Sequence, residues 1–107
     1  MSKKCMISQP MNGLTDEEIL AVRDKAIDTI EKSGYEFVSS FFTEKDESFI
    51  VDTTNDENIG VHYLGRSIIM MAQCKAIYFC KGWENARGCR IEHEIAKEYG
   101  YECIYEK

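Results

Sequence analysis

The chain contains no CxxC pair, no zinc-finger spacing and no apolar run near the roughly 20 residues of a membrane-spanning helix. Its five cysteines, Cys5, Cys74, Cys80, Cys89 and Cys103, are odd in number and scattered. That pattern speaks for reduced core residues, not for a disulfide framework or a metal site. The start, Met1-Ser2-Lys3-Lys4, has no signal-peptide hydrophobic region, so a cytoplasmic protein is expected. Positive charge is scarce as well: 13 Lys and Arg against 19 Asp and Glu leave a net charge of −6. A nucleic-acid polymer or an anionic membrane is therefore a poor main partner, although local basic residues remain available for a small phosphate. No repeat or low-complexity segment is visible. No loop rich in Ser, Thr and Gly follows the first apolar run, which argues against a flavin or related redox cofactor, and none is expected.

What is present is enough for one domain, residues 1–107, with a real but modest core, since 44% of the 107 residues are hydrophobic. Cys5 to Ser8 reads as a first strand, ending in Gln9-Pro10-Met11-Asn12-Gly13, where Pro and Gly punctuate a loop. Thr15 to Glu18 has the form of a capping box and opens a helix with Ile19, Val22, Ala26, Ile27 and Ile30 inward, ended by Ser33-Gly34. Tyr35 to Val38 follows as a second strand. Ser39 to Gly60 is a polar stretch longer than an ordinary loop, read as a lid or an irregular insertion. Val61 to Cys74 places Val61, Leu64, Ile68, Met71 and Ala72 on one helical face, and Lys75 to Cys80 reads as a buried third strand. A helix from Gly88 to Gly100 leads to a fourth strand, Glu102 to Tyr105.

This alternation predicts an α/β fold: three layers, with a doubly wound, mainly parallel four-stranded sheet. The expected order is 2-1-3-4. The switch point then lies between the first and third strands, and the loops Ser8 to Gly13 and Lys81 to Gly88 face one cleft.

The segment Gly82-Trp83-Glu84-Asn85-Ala86-Arg87-Gly88-Cys89-Arg90-Ile91-Glu92 carries the chemistry. Counted from Gly88, Ile91, Ile95, Ala96 and Tyr99 recur at helical spacing. Glu92 falls in the first turn, on the border of the buried face, while His93, Glu94, Lys97 and Glu98 look outward. A carboxylate there has a structural partner, such as Arg87 or Arg90, or a catalytic task.

The pairing of Ser8-Gln9-Pro10-Met11-Asn12-Gly13 with Gly82-Trp83-Glu84 through Gly88 and Ile91-Glu92, then Ala96 and Gly100, resembles the nucleoside 2-deoxyribosyltransferase superfamily. More closely, it looks like the small bacterial and phage members grouped there as a domain of unknown function. The resemblance implies a flavodoxin- or Rossmann-like fold and a glutamate, matched by Glu92 four residues after Gly88, that attacks the sugar C1′ and releases the base. It also implies a homodimer or larger homo-oligomer, for which Phe41, Phe42, Tyr63, Met70 and Trp83 are the apolar interface candidates. Superfamily enzymes commonly carry a first-strand tyrosine where this chain has Met6, and acidic residues near the positions of Ser67 and Ala86. Glu84 is a candidate substitute acid.

A carboxylate suits this chemistry, because breaking an N-glycosidic bond builds oxocarbenium character that it stabilises or captures. The expected ligand is a small nucleoside or nucleotide. Ser8, Gln9, Pro10, Met11, Asn12, Gly13, Gly82, Trp83, Glu84, Arg87, Gly88 and Arg90 are the binding candidates around Glu92. Trp83 fits both a packing residue and a base-stacking platform. Arg87 and Arg90 fit both solvated surface charges and phosphate ligands. Gln9 and Asn12 either close their turn or bond a sugar or base edge. His62 and His93 read as structural or solvated. Two function classes follow: an enzyme acting on the N-glycosidic bond, and a non-catalytic nucleotide-binding protein that senses or sequesters its ligand.

Overall fold

In a computed structural model, which describes residues 3–10, 13–38 and 58–107, the elements alternate as the sequence predicts. They are β1 (Lys4–Ser8), α1 (Asp16–Lys32), β2 (Glu36–Phe37), α2 (Ile59–Met71), β3 (Ala76–Phe79), a 3-10 turn (Trp83–Asn85), α3 (Arg87–Glu98) and β4 (Glu102–Tyr105). The four strands form one sheet in the order β2-β1-β3-β4, with every pairing parallel. Most of the long polar stretch expected at 39–60, with the interface candidates Phe41 and Phe42, lies outside the described residues, as do Met11 and Asn12. Among the described residues no helix is long and apolar enough to cross a membrane, and no group of three His, Cys, Asp or Glu is placed to hold a metal ion.

Strand alternation sorts the core into two layers. Cys5 and Ile7 of β1 join Ala76, Tyr78 and Cys80 against Ala26 and Ile30 of α1. Met6, Ile77 and Phe79 face the other way, against Met71 of α2 and Ala96 of α3. Right-handed crossovers require this: β1 to β2 moves in one direction along the sheet, whereas β2 to β3 and β3 to β4 move in the other. Hence α1 covers one face and α2 with α3 cover the opposite one. Met6, Ile77 and Phe79 are fully buried, each contributing about 2 kcal/mol by removal from water.

Local signals set the boundaries. Thr15 accepts from Glu18 N at 3.2 Å and Glu18 Oε1 accepts from Thr15 N at 3.2 Å, the reciprocal capping box that starts α1. At its end Tyr35 N donates to Ile30 O and Gly34 N to Glu31 O, a Schellman pair. Tyr35 is thereby held by the helix, which shortens β2 from the expected four residues to Glu36–Phe37. Asn58 Oδ1 accepts from Val61 N at 3.1 Å and starts α2 two residues earlier than expected. The end moves forward too: residues 72–74 turn through Gln73 N to Met70 O and Cys74 N to Met71 O.

Two expected faces are rotated. On α2, Met71 is buried and Ile68 packs on the core, but Val61 is 62% exposed. On α3, Ile91 and Tyr99 are 38% and 78% exposed, whereas Cys89, Glu92 and Ala96 form the buried stripe at i, i+3 and i+7. Glu92 thus lies in the middle of the buried face. Because α3 begins at Arg87, Glu92 occupies the second turn, beyond the reach of the N-terminal dipole.

Candidate functional site

β1 and β3 run side by side and then part into loops that leave in different directions, and a cleft of about 780 Å³ opens there. Its β1 side is Ile7, Gln9 and Pro10; its opposite wall is one face of α2, Gly60, Tyr63, Leu64 and Ser67. Gly82, Asn85, Ala86 and the first turn of α3, Arg87 through Arg90, close it, with Glu92 beneath. Gln9, Pro10, Gly82, Arg87, Gly88, Arg90 and Glu92 therefore gather at one place, and Ser8, which does not line the cleft, is hydrogen-bonded to Glu92.

Glu92 is 7% exposed. Its Oε1 accepts a hydrogen bond from Ser8 Oγ at 2.8 Å. Among the described residues it makes no ion pair with Arg87 or Arg90, whose side chains are exposed at the rim. Burial pushes the Glu92 carboxyl up to about 7, and the Ser8 bond pulls the other way. Cys89, one turn earlier and buried, is pushed up to about 11 by burial and stays a thiol. Glu92 is the one acid among the described residues of the cleft wall.

Gln9 Nε2 donates to Ile19 O at 2.9 Å, tying the β1 loop to the first turns of α1. Its Oε1 is buried and has no hydrogen-bond partner among the described residues. A buried acceptor left in this state costs about 1–3 kcal/mol.

The other candidates stand apart. Gly13 and Glu84 are exposed and do not line the cleft. Trp83 packs beyond it: its indole stacks on His93 with ring centroids 4.1 Å apart and lies 5.4 Å from Phe79. His93, expected to look outward, is half-buried in that cluster, and its Nε2 is 2.7 Å from Tyr105 Oη. The α2 wall and Cys89 were not among the binding candidates. The signal for Cys89 was its place three residues before Glu92, on the same helical face. For α2 it was the 60, 63, 64, 67 spacing, which marks a second face beside the one packed on the sheet.

No curated protein matches the chain. Residues 3–105 match the family described as domain of unknown function DUF4406, and with nearly its whole length covered the chain belongs to that family.

Proposed function

We propose that the cleft takes a nucleoside or nucleotide and that the protein cleaves or transfers its N-glycosidic bond, with Glu92 as the nucleophile. The observation that carries this reading is a buried carboxylate at the cleft floor, the single acid among the described wall residues, with two arginines at the rim. The resemblance of the Gly82 to Glu92 segment to the nucleoside 2-deoxyribosyltransferase superfamily supports it.

In the first step a Glu92 oxygen bonds to C1′ as the C1′–N bond breaks; the base leaves with the electron pair and takes a proton from water. Water or an acceptor base then displaces the glutamate, restoring the carboxylate with retention at C1′. A carboxyl pushed up to about 7 is nucleophilic only in its ionised form, so turnover rises as pH passes upward through about 7. The positive charge developing on the sugar favours that ionised form. Gln9 Oε1 is the acceptor for a donor on the ligand, and Arg87 and Arg90 beside the α3 N-terminus, which no side chain caps among the described residues, suit a 5′-phosphate. Tyr63, 40% exposed on the α2 wall, is the contact through which a second copy would complete the cleft.

A second reading, binding without turnover, draws on two wall positions. Ser67 and Ala86 both line the cleft, and enzymes of the superfamily that the chain resembles carry acids near these positions. Incubation with ribo- and deoxyribonucleosides and their monophosphates, with and without a free acceptor base, separates the two. Base release that disappears in Glu92→Gln supports the enzyme; tight binding with no release from any member of the panel supports the binding protein.

A further inference from the structure

We propose that Ser8 is a positioning residue for Glu92: its hydroxyl holds Oε1, fixes the rotation of the carboxylate and leaves Oε2 as the oxygen offered to C1′. This deepens the glycosidic reading and rests on it.

The argument begins with strand parity. Met6 points into the α2 and α3 layer, so Ser8, two residues on, points to the same side, toward α3. Ser8 O also accepts from Cys80 N at 3.0 Å, which pins the residue at the end of the β1–β3 ladder. Ser8 is 1% exposed, so water does not compete for its hydroxyl. The result is the 2.8 Å bond to Glu92 Oε1, between side chains on different elements.

In that bond Ser8 is the donor and the Glu92 carboxylate the acceptor. Cys89, buried one turn before Glu92 on the same helical face, stays a thiol because burial pushes it up to about 11. A hydroxyl has a single proton to give, and the geometry directs that of Ser8 to Glu92. A hydroxyl donor favours the carboxylate over the carboxylic acid and offsets part of the desolvation that Glu92 suffers. The other ionisable groups facing the cleft are Tyr63 on α2 and Arg87 and Arg90 on α3. None of them is hydrogen-bonded or ion-paired to Glu92 among the described residues.

The test is a carboxyl-carbon NMR titration of Glu92 in wild type, Ser8→Ala and Ser8→Cys under reducing conditions, with Glu92→Gln identifying the resonance. Ser8→Cys nearly keeps the volume and replaces the hydroxyl by a weak donor, so it carries the test if the alanine variant folds poorly. In both variants the Glu92 midpoint is expected to rise by about one pH unit. In the base-release assay at pH 7, kcat should fall about tenfold with KM little changed, and the rise of activity with pH should move by the same interval as the titration. Unmoved titrations in both variants overturn the role of Ser8, whatever the activity. A moved titration with no base release from wild type on any substrate keeps the Ser8 to Glu92 relationship and overturns the glycosidic reading instead.

Discussion

A methyl group placed on Gly82 would sit 3.6 Å from Cγ of Pro10, so the loop after β3 and the loop after β1 meet at the cleft rim. The distance is ordinary van der Waals contact. The obstacle is the backbone, since Gly82 has φ +89°. Gly82→Ala should therefore lose about 1–2 kcal/mol through strain alone. Gly88→Ala, inside α3 and 3.9 Å from Leu64 Cδ1, should gain a few tenths to about 1 kcal/mol from helix propensity. Urea midpoints of the two variants should move in opposite directions from wild type.

Glu92 sets the pH dependence of stability. Its carboxyl lies near 7 in the native protein and 4.5 in a solvated reference, so the native state holds its proton to higher pH than the unfolded chain. The contribution is fully favourable below about 4.5, is lost as pH rises from there to about 7, and is flat above. The loss amounts to about 3 kcal/mol. Glu92→Gln, which keeps an acceptor for Ser8, should match wild type at pH 4 and exceed it by about that amount at pH 8. Urea denaturation at the two pH values checks this; equal stabilities at pH 8 would mean that the ionised carboxylate is solvated.

Periodicity made the strands and their order legible, because β1 and β3 are buried on both faces and each crossover has one hand. It failed on α3 for a physical reason. Ile91 and Tyr99 fit the apolar spacing, yet the sheet lies against Cys89, Glu92 and Ala96, so a polar residue holds the place a hydrophobicity pattern gives to an aliphatic one. Burial that looked marginal for Glu92 is nearly complete, and its partner Ser8 is 84 residues away in the chain. No local pattern announces such a pair. The same kind of overlap hides the α2 wall, since Leu64 shares the apolar spacing of Ile68 and Met71 and lines the cleft.

The two rim arginines separate nucleotide from nucleoside. Arg87 and Arg90 are exposed, and among the described residues no side chain caps the α3 N-terminus beside them. A phosphate seated there gains charge-assisted bonds that a nucleoside lacks. The double variant Arg87→Ala/Arg90→Ala should weaken a monophosphate about 10- to 100-fold and its parent nucleoside less than about threefold. Calorimetric titration of both ligands at two salt concentrations checks it: only the monophosphate affinity of wild type should fall with salt. Equal losses for the two ligands would remove the phosphate from the site.

Trp83 is the chain's one tryptophan, so its emission reports a single place, and that place is the stack on His93. The rings lie 30° from parallel, with the imidazole also bonded to Tyr105 Oη at 2.7 Å. Burial, with Lys97 adding to it, holds the His93 pKa below the ordinary 6.5. Protonation puts a cation against the indole face, a favourable contact and an efficient quencher of its emission. Emission should therefore fall on acidification with a midpoint below 6.5, and His93→Gln should abolish the step. Because Trp83 packs beyond the cleft wall, the same titration with the cleft saturated by ligand should keep its midpoint. A ligand that blocks the step, or shifts the emission as a stacked base would, places the indole in the binding site and reverses this assignment.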